Sequence, residues 1–185
     1  MQKILGFIFI SFLFTGCSFT NSYYILSIAP TPQEHYKGRH NIIGIEKIIV
    51  PKYLFKREIA VAKSNSQITF LSNAVWAEDL DDGLTQRLIG YLQKKFNNPN
   101  IYTYPWGVEK QPTLKIRVAI TRFIAQGNAV YLDANWEIIY LQSNRSKAKL
   151  FSTMIPLKNK ESDTVVSSMD KAFSQLEEAI ALELR

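Results

Sequence analysis

The chain has 185 residues, 46% of them hydrophobic, with 22 Lys+Arg against 16 Asp+Glu, two His and one Cys. That length and composition fit a single globular domain whose core is large enough to fold without disulfide or metal staples. A lone cysteine excludes an intrachain disulfide, and Cys17, His35 and His40 do not stand at ligand spacing, so neither a zinc site nor any other metal or cofactor is expected.

The first element in chain order is an apolar run from Ile4 to Phe14, preceded by Lys3 and broken only by Gly6 and Ser11. This predicts a secretion signal over residues 1–16. As a helix the run would be about 16 Å long against a hydrocarbon core of about 30 Å, too short to span a membrane. Its end, Leu13-Phe14-Thr15-Gly16-Cys17, resembles a bacterial lipobox, in which small residues precede a cysteine that is lipidated before cleavage on its amino side. The resemblance implies that Cys17 is the lipidated N-terminus of the mature chain; the other reading is an ordinary thiol behind an ordinary signal peptide. Ser18 in place of Asp after that cysteine resembles an outer-membrane address. Without residues 1–16 the chain loses only Lys3, which leaves 21 basic against 16 acidic residues and a charge of +5. An exported basic domain faces anionic headgroups, cell wall and other envelope proteins, so nucleic acid is not an expected partner. Residues 17–22 read as a lipidated tether and 23–185 as one domain.

Within the domain, Tyr23–Ile28 reads as a strand, 29–41 as a loop with Pro30, Pro32 and Gly38, and Ile42–Val50 as a strand stopped by Pro51. Ile59–Ala62 and Gln67–Leu71 form a predicted hairpin around the turn 63–66. Residues 77–96 place Leu80, Leu84, Leu88, Leu92 and Phe96 on one helical face, with Ile89 beside them. Glu78, Asp79, Asp81 and Asp82 open that helix and Lys94 and Lys95 close it, as the helix dipole favours. The acidic cluster misses calcium-loop spacing by one residue and has Gly90 where a bidentate Glu belongs.

Thr113–Ile124 and Val130–Tyr140 alternate with period two and are joined by residues 125–128, which predicts a long antiparallel hairpin. A third strand, Lys147–Ile155, follows a turn at 143–146. The last segment, Asp163–Leu184, carries Val166, Met169, Phe173, Leu176 and Ile180 at helical spacing, with Ser162 or Asp163 as the expected cap. The predicted fold is a two-layer α/β sandwich of the α+β type, a mixed, largely antiparallel sheet covered by two main helices.

The sequence holds no Gly-x-Ser-x-Gly elbow, no phosphate-binding glycine loop and no His-Glu-x-x-His. No catalytic residue is assigned, although a triad assembled in space around His35 or His40 would leave no trace in the sequence.

Several short motifs occur in order: Tyr24-x-Leu26, then Ile45-x-x-Ile48-x-Val50-Pro51-x-Tyr53-Leu54, then Trp76-Ala77-Glu78-x-Leu80 with Arg87-Leu88 inside the helix. Asp133-Ala134-Asn135-Trp136 and a run from Ala172 to Leu176 follow. With the lipobox, this series resembles the ABC-type transport auxiliary lipoproteins, the PqiC or YmbA-like group. The chain departs from the family pattern at Phe55-Lys56-Arg57-Glu58, where Asp-Arg-Pro-Gln is usual, and at Asp79, where Pro is usual.

The resemblance implies a non-catalytic outer-membrane lipoprotein on the periplasmic face, docking an MCE-domain periplasmic protein and its ABC transporter for phospholipid transport, with a homo-oligomeric ring as one form of its assembly. It implies partner-binding roles for Trp76, Glu78, Tyr53 and Leu54. For Trp76 the residues alone favour a core indole at a strand-to-helix corner, and for Glu78 a complement to the helix N-terminus. The alternatives are a structural or regulatory envelope lipoprotein without a transport role, and a periplasmic enzyme or soluble lipid carrier. A carrier would enclose an apolar cavity of roughly several hundred Å³.

Overall fold

Two long alternating strands form the spine of the sheet. The computed structural model describes residues 20–37, 41–107 and 111–185. In it β1 is Ser22–Tyr24, β2 Ile43–Glu46, β3 Glu58–Ala62 and β4 Ile68–Trp76, with a 3-10 turn at Lys52–Phe55 between β2 and β3. Helix α1 is Leu80–Phe96, β5 Ile101–Tyr104, β6 Leu114–Gln126, β7 Ala129–Tyr140, β8 Arg145–Pro156 and α2 Ser162–Leu184. The expected mixed α/β architecture, two helices on one sheet, is the one observed.

β6, β7 and β8 make an antiparallel meander in continuous register, from Leu114↔Tyr140 to Gln126↔Ala129 and from Ala129↔Pro156 to Tyr140↔Arg145. On its other side β6 is shared. β2 pairs with its start at Leu114–Ile116 and β3 with its end at Ala125–Gln126, both in parallel. β5 extends the β2 branch; β4 and then β1 extend the β3 branch. The parallel pairings are short and the antiparallel ladders hold most of the register, because the long strands β6, β7 and β8 are joined directly by tight turns.

The inward positions of β6 and β7 (Leu114, Ile116, Val118, Leu132, Trp136 and Ile138 among them) are buried, as their alternation predicts. α2 covers this face with Met169, Phe173, Leu176 and Ile180, each fully buried. α1 packs beside it through the Leu80, Leu84, Leu88, Leu92 and Phe96 stripe. Among the described residues, every buried apolar residue lies between Leu26 and Ala181, most of them in one cluster between sheet and helices.

Several local expectations are corrected. The strand from Tyr23 ends at Tyr24, and the one from Ile42 ends at Glu46. Beyond Glu46 the Ile48 N–H donates to Thr85 Oγ1 of α1 at 3.0 Å, which draws the chain out of the ladder, and Ile49 makes a single parallel bridge to Ala119. β5, between Pro99 and Pro105, was not foreseen. The expected 125–128 loop shrinks to Gly127-Asn128, with Gly127 at φ +62°, a conformation that costs glycine little. Neither Ser162 nor Asp163 caps α2. The cap is Glu161, without a side-chain bond, because the Asp163 carboxylate accepts a hydrogen bond from the Tyr24 hydroxyl at 2.5 Å.

The termini of α1 are used for more than the dipole. Lys47 bridges Asp81 and Asp82 at 2.9 and 2.8 Å, pinning the helix start to the end of β2. At the other end Asn97 takes the left-handed conformation and stops the helix.

Candidate functional site

Three of the motif segments converge at one corner. β1 brings Tyr24 into register with Trp76 at the end of β4, the Ala77 N–H donates to the Tyr24 carbonyl at 2.8 Å, and the Trp76 N–H donates to the Arg57 carbonyl at 2.7 Å. The Trp76 side chain is only 2% exposed and belongs to the core. Glu78 is half-buried and folds against α1: a Cβ on Gly83 would stand 2.9 Å from Glu78 Oε1. That close approach is why glycine fits there. Neither Trp76 Nε1 nor Glu78 Oε1 makes a hydrogen bond among the described residues.

Tyr53 and Leu54 sit in the 3-10 turn, and they face inward. Leu54 is 3% exposed. The Tyr53 hydroxyl accepts the Phe123 N–H at 3.1 Å. Phe123 lies in the stretch of β6 between its pairings with β2 and β3, so this side chain supplies the acceptor that a neighbouring strand would otherwise provide. Burial raises the Tyr53 phenol above its ordinary pKa. Lys52 and Phe55 of this turn are exposed, as are Lys56, Arg57 and Glu58 after it, and the stretch from Phe55 to Glu58 is where the chain departs from the family pattern.

Between the helices lies a charge cluster of which the motif reading named only Arg87. Arg87 is fully buried; its Nε donates to both Glu177 oxygens at 3.2 Å, and its terminal nitrogens reach Asp170, the Asp170 carbonyl and Ser174 Oγ. The guanidinium also stands 5.4 Å from the centre of the Phe173 ring. Burial pushes the Glu177 carboxyl up to about 8, against the opposite pull of Arg87. The next residue, Glu178, accepts from Tyr36, Tyr91 and Lys95. Burial would raise Glu178, but these donors outweigh it and hold the carboxyl below its ordinary pKa. The signal was present in the sequence: Arg87 and Glu177 are charges at inward positions of two apolar stripes, where a lone charge would not be tolerated.

His35, one of the two histidines, is exposed and bonds through Nδ1 to the Lys94 carbonyl at 2.9 Å, so that nitrogen carries the proton. His40 and the expected lipidation site Cys17 lie outside the described residues.

A cleft of about 320 Å³ opens where the β3–β4 turn, the β6–β7 turn and the start of α2 meet. Val61, Leu71, Ala125, Leu157 and Val165 line it, and Lys63 and Lys160 are the only charged residues of its wall. It lies at the end of the sheet on the margin of the core, with Ala125 and Val165 of the core cluster in its wall, while the core between sheet and helices is filled by side chains such as Leu84, Leu88 and Phe173 with no exposure. No described helix is long and apolar enough to cross a membrane.

Residues 24–181 match the model of the ABC-type transport auxiliary lipoprotein component. The chain belongs to that family. Solved structures share the fold of this auxiliary lipoprotein: a crystal structure of an uncharacterized protein, 20% identical, superposes with a TM-score of 0.74 over 90% of this chain and 99% of its own. Protein XCC0632 from Xanthomonas campestris, of family DUF330, is 13% identical with a TM-score of 0.74 over 86% and 92% of the two chains. The PelC dodecamer from Paraburkholderia phytofirmans is more distant, 10% identical with a TM-score of 0.44 over 81% and 93%. No curated protein matches the sequence. For the auxiliary lipoprotein, the motif residues Tyr24, Leu54 and Trp76 thus build the domain from inside, and the surface they support is carried by Phe55–Arg57 and the exposed flank of Glu78.

Proposed function

We propose that this chain is the outer-membrane, lipid-anchored docking component of an MCE-type intermembrane phospholipid transport system, without a catalytic step of its own. The observation that carries the reading is the family match, which spans the domain from β1 to the last turn of α2. The lipobox at residues 13–17 supports the anchor: acyl chains on Cys17, at about 0.8 kcal/mol per buried CH₂, would hold the domain at a membrane surface. Docking falls to the corner where Tyr24, Arg57 and Trp76 meet, with Trp76, Tyr53 and Leu54 setting its shape from within and Glu78 lying at its rim. The same surface would serve a homo-oligomeric ring around the end of the MCE protein.

The test is crosslinking in cells, purification from membranes and mass spectrometry of the N-terminus and of the crosslinked partner. An acylated Cys17 joined to an MCE-domain protein is the expected result. Acylation with cell-wall or unrelated envelope partners would favour the structural or regulatory lipoprotein instead, and an unmodified thiol would remove the anchor.

A further inference from the structure

The cleft at the end of the sheet combines two properties that belong to one class of ligand. Its walls, Val61, Leu71, Leu157 and Val165, are apolar, while Lys63 and Lys160 supply positive charge and no carboxylate lines it. Lys47, Lys95, Lys115, Lys147 and Lys149 are all held in ion pairs. Lys63 and Lys160 are exposed and have no ion pair among the described residues. An apolar slot with unneutralised ammonium groups beside it suits an amphiphile with an anionic head. At about 320 Å³ it is at the small end of ligand sites and has room for part of one acyl chain, not for a whole diacyl lipid.

The direction of the chain says where that amphiphile would come from. β1 runs parallel to β4 with Ser22 opposite Ala74, so the described chain enters β1 from the side of β4 on which Leu71, a wall of the cleft, lies. Thr20 is three residues from Cys17, a reach of at most about 10 Å. An acylated Cys17 therefore brings the membrane surface to this end of the domain. The two turns that frame the cleft are tied to each other by the Gln126–Asn65 hydrogen bond at 2.8 Å, so the site is held as one surface.

We propose that this end of the domain is a membrane-contact surface, on which Lys63 and Lys160 meet anionic phospholipid headgroups and the cleft takes up part of one acyl chain. The contact seats and orients the anchored domain. Its geometry rests on the lipid-anchor reading above, but its test does not.

Residues 20–185, which hold every buried apolar residue of the described core and lack Cys17, are checked for cooperative thermal melting and mixed with vesicles of phosphatidylcholine alone or with roughly one third phosphatidylglycerol, and pelleting is measured. Binding is expected to the anionic vesicles only, weakened at least about tenfold by Lys63→Glu with Lys160→Glu. Ala62→Phe, which fills the cleft from a half-buried position without changing charge, is expected to weaken binding as well, with thermal melting showing that the variant stays folded. Pelleting with neither vesicle, equal pelleting with both, or an Ala62→Phe variant that folds and binds as the parent does would overturn the proposal. A protein acylated and crosslinked to its partner in cells but indifferent to vesicles in this assay would keep the docking function and remove the membrane contact alone.

Discussion

The Arg87–Glu177 pair shows how a single buried charge shapes the behaviour of the whole domain. Arg87→Ala would leave the Glu177 carboxyl buried without its hydrogen-bond donor, and a loss of about 1–3 kcal/mol is expected in urea unfolding. Replacing both residues by apolar ones of similar size, Arg87→Met with Glu177→Leu, is expected to recover most of that loss, since no buried polar group is then left without its partner. The pair also sets a pH dependence. The Glu177 carboxyl is raised in the folded state from 4.5 to about 8, so the fold favours its neutral form. That contribution is fully present below the unfolded value and is lost as pH rises through the folded one. The melting temperature is therefore expected to fall between about pH 4.5 and 8, and in Glu177→Gln this part of the fall is absent. Glu178 acts in the other sense, because its lowered pKa stabilises the fold above the ordinary carboxylate range and that stability disappears on acidification. Tyr53 gives a third residue-scale expectation. Tyr53→Phe removes one oxygen and leaves the Phe123 N–H without an acceptor, at a cost of about 1–3 kcal/mol, and faster hydrogen exchange at that one amide would identify the cause.

At the scale of elements, legibility in the sequence followed the length of the periodic pattern. β6, β7 and β8 and both helices stand within a few residues of where alternation and the Leu80–Phe96 and Val166–Ile180 stripes place them, because each has enough repeats to fix its face. The short elements did not announce themselves. β5 has four residues between two prolines, with only Ile101 buried, and nothing local distinguishes it from a loop. The parallel pairings of β1, β2 and β3 are tertiary choices between segments far apart in the chain, which no local pattern encodes. The candidate site divides the same way: Trp76 was readable as a corner indole, whereas the inward role of Tyr53 depends on a gap between two strands that the sequence does not display. The same reasoning makes α1 costly to damage. Leu88→Ala, at a fully buried position of the stripe, is expected to lower stability by about 2–5 kcal/mol in the urea titration.

For the whole molecule, the domain and its anchor are chemically separate. The core runs from Leu26 to Ala181, so Cys17→Ala is expected to leave circular dichroism and melting temperature unchanged while moving the protein from the membrane pellet to the soluble fraction. Retention of that variant in the pellet would count against Cys17 as the anchor. The two faces of the sheet differ in the same sense. The inner face is closed by helices, whereas the outer carries the Glu46–Arg117–Glu137 ion network and exposed Leu150 and Met154, which leaves it open to solvent.

The pairing of β1 has a mechanical meaning. Three residues, Ser22–Tyr24, lie parallel to β4 at the point where the described chain begins, and the Tyr24 hydroxyl grips Asp163 on α2. Tension applied at the amino end pulls β1 along its own axis, so its ladder bonds are sheared together rather than unzipped in turn. Beyond a threshold load the first piece to detach is this strand, and its departure strips the neighbour paired with Trp76 while the meander stays intact. A domain built this way yields in one discrete step under traction, and the fluorescence of that indole would report the moment of release.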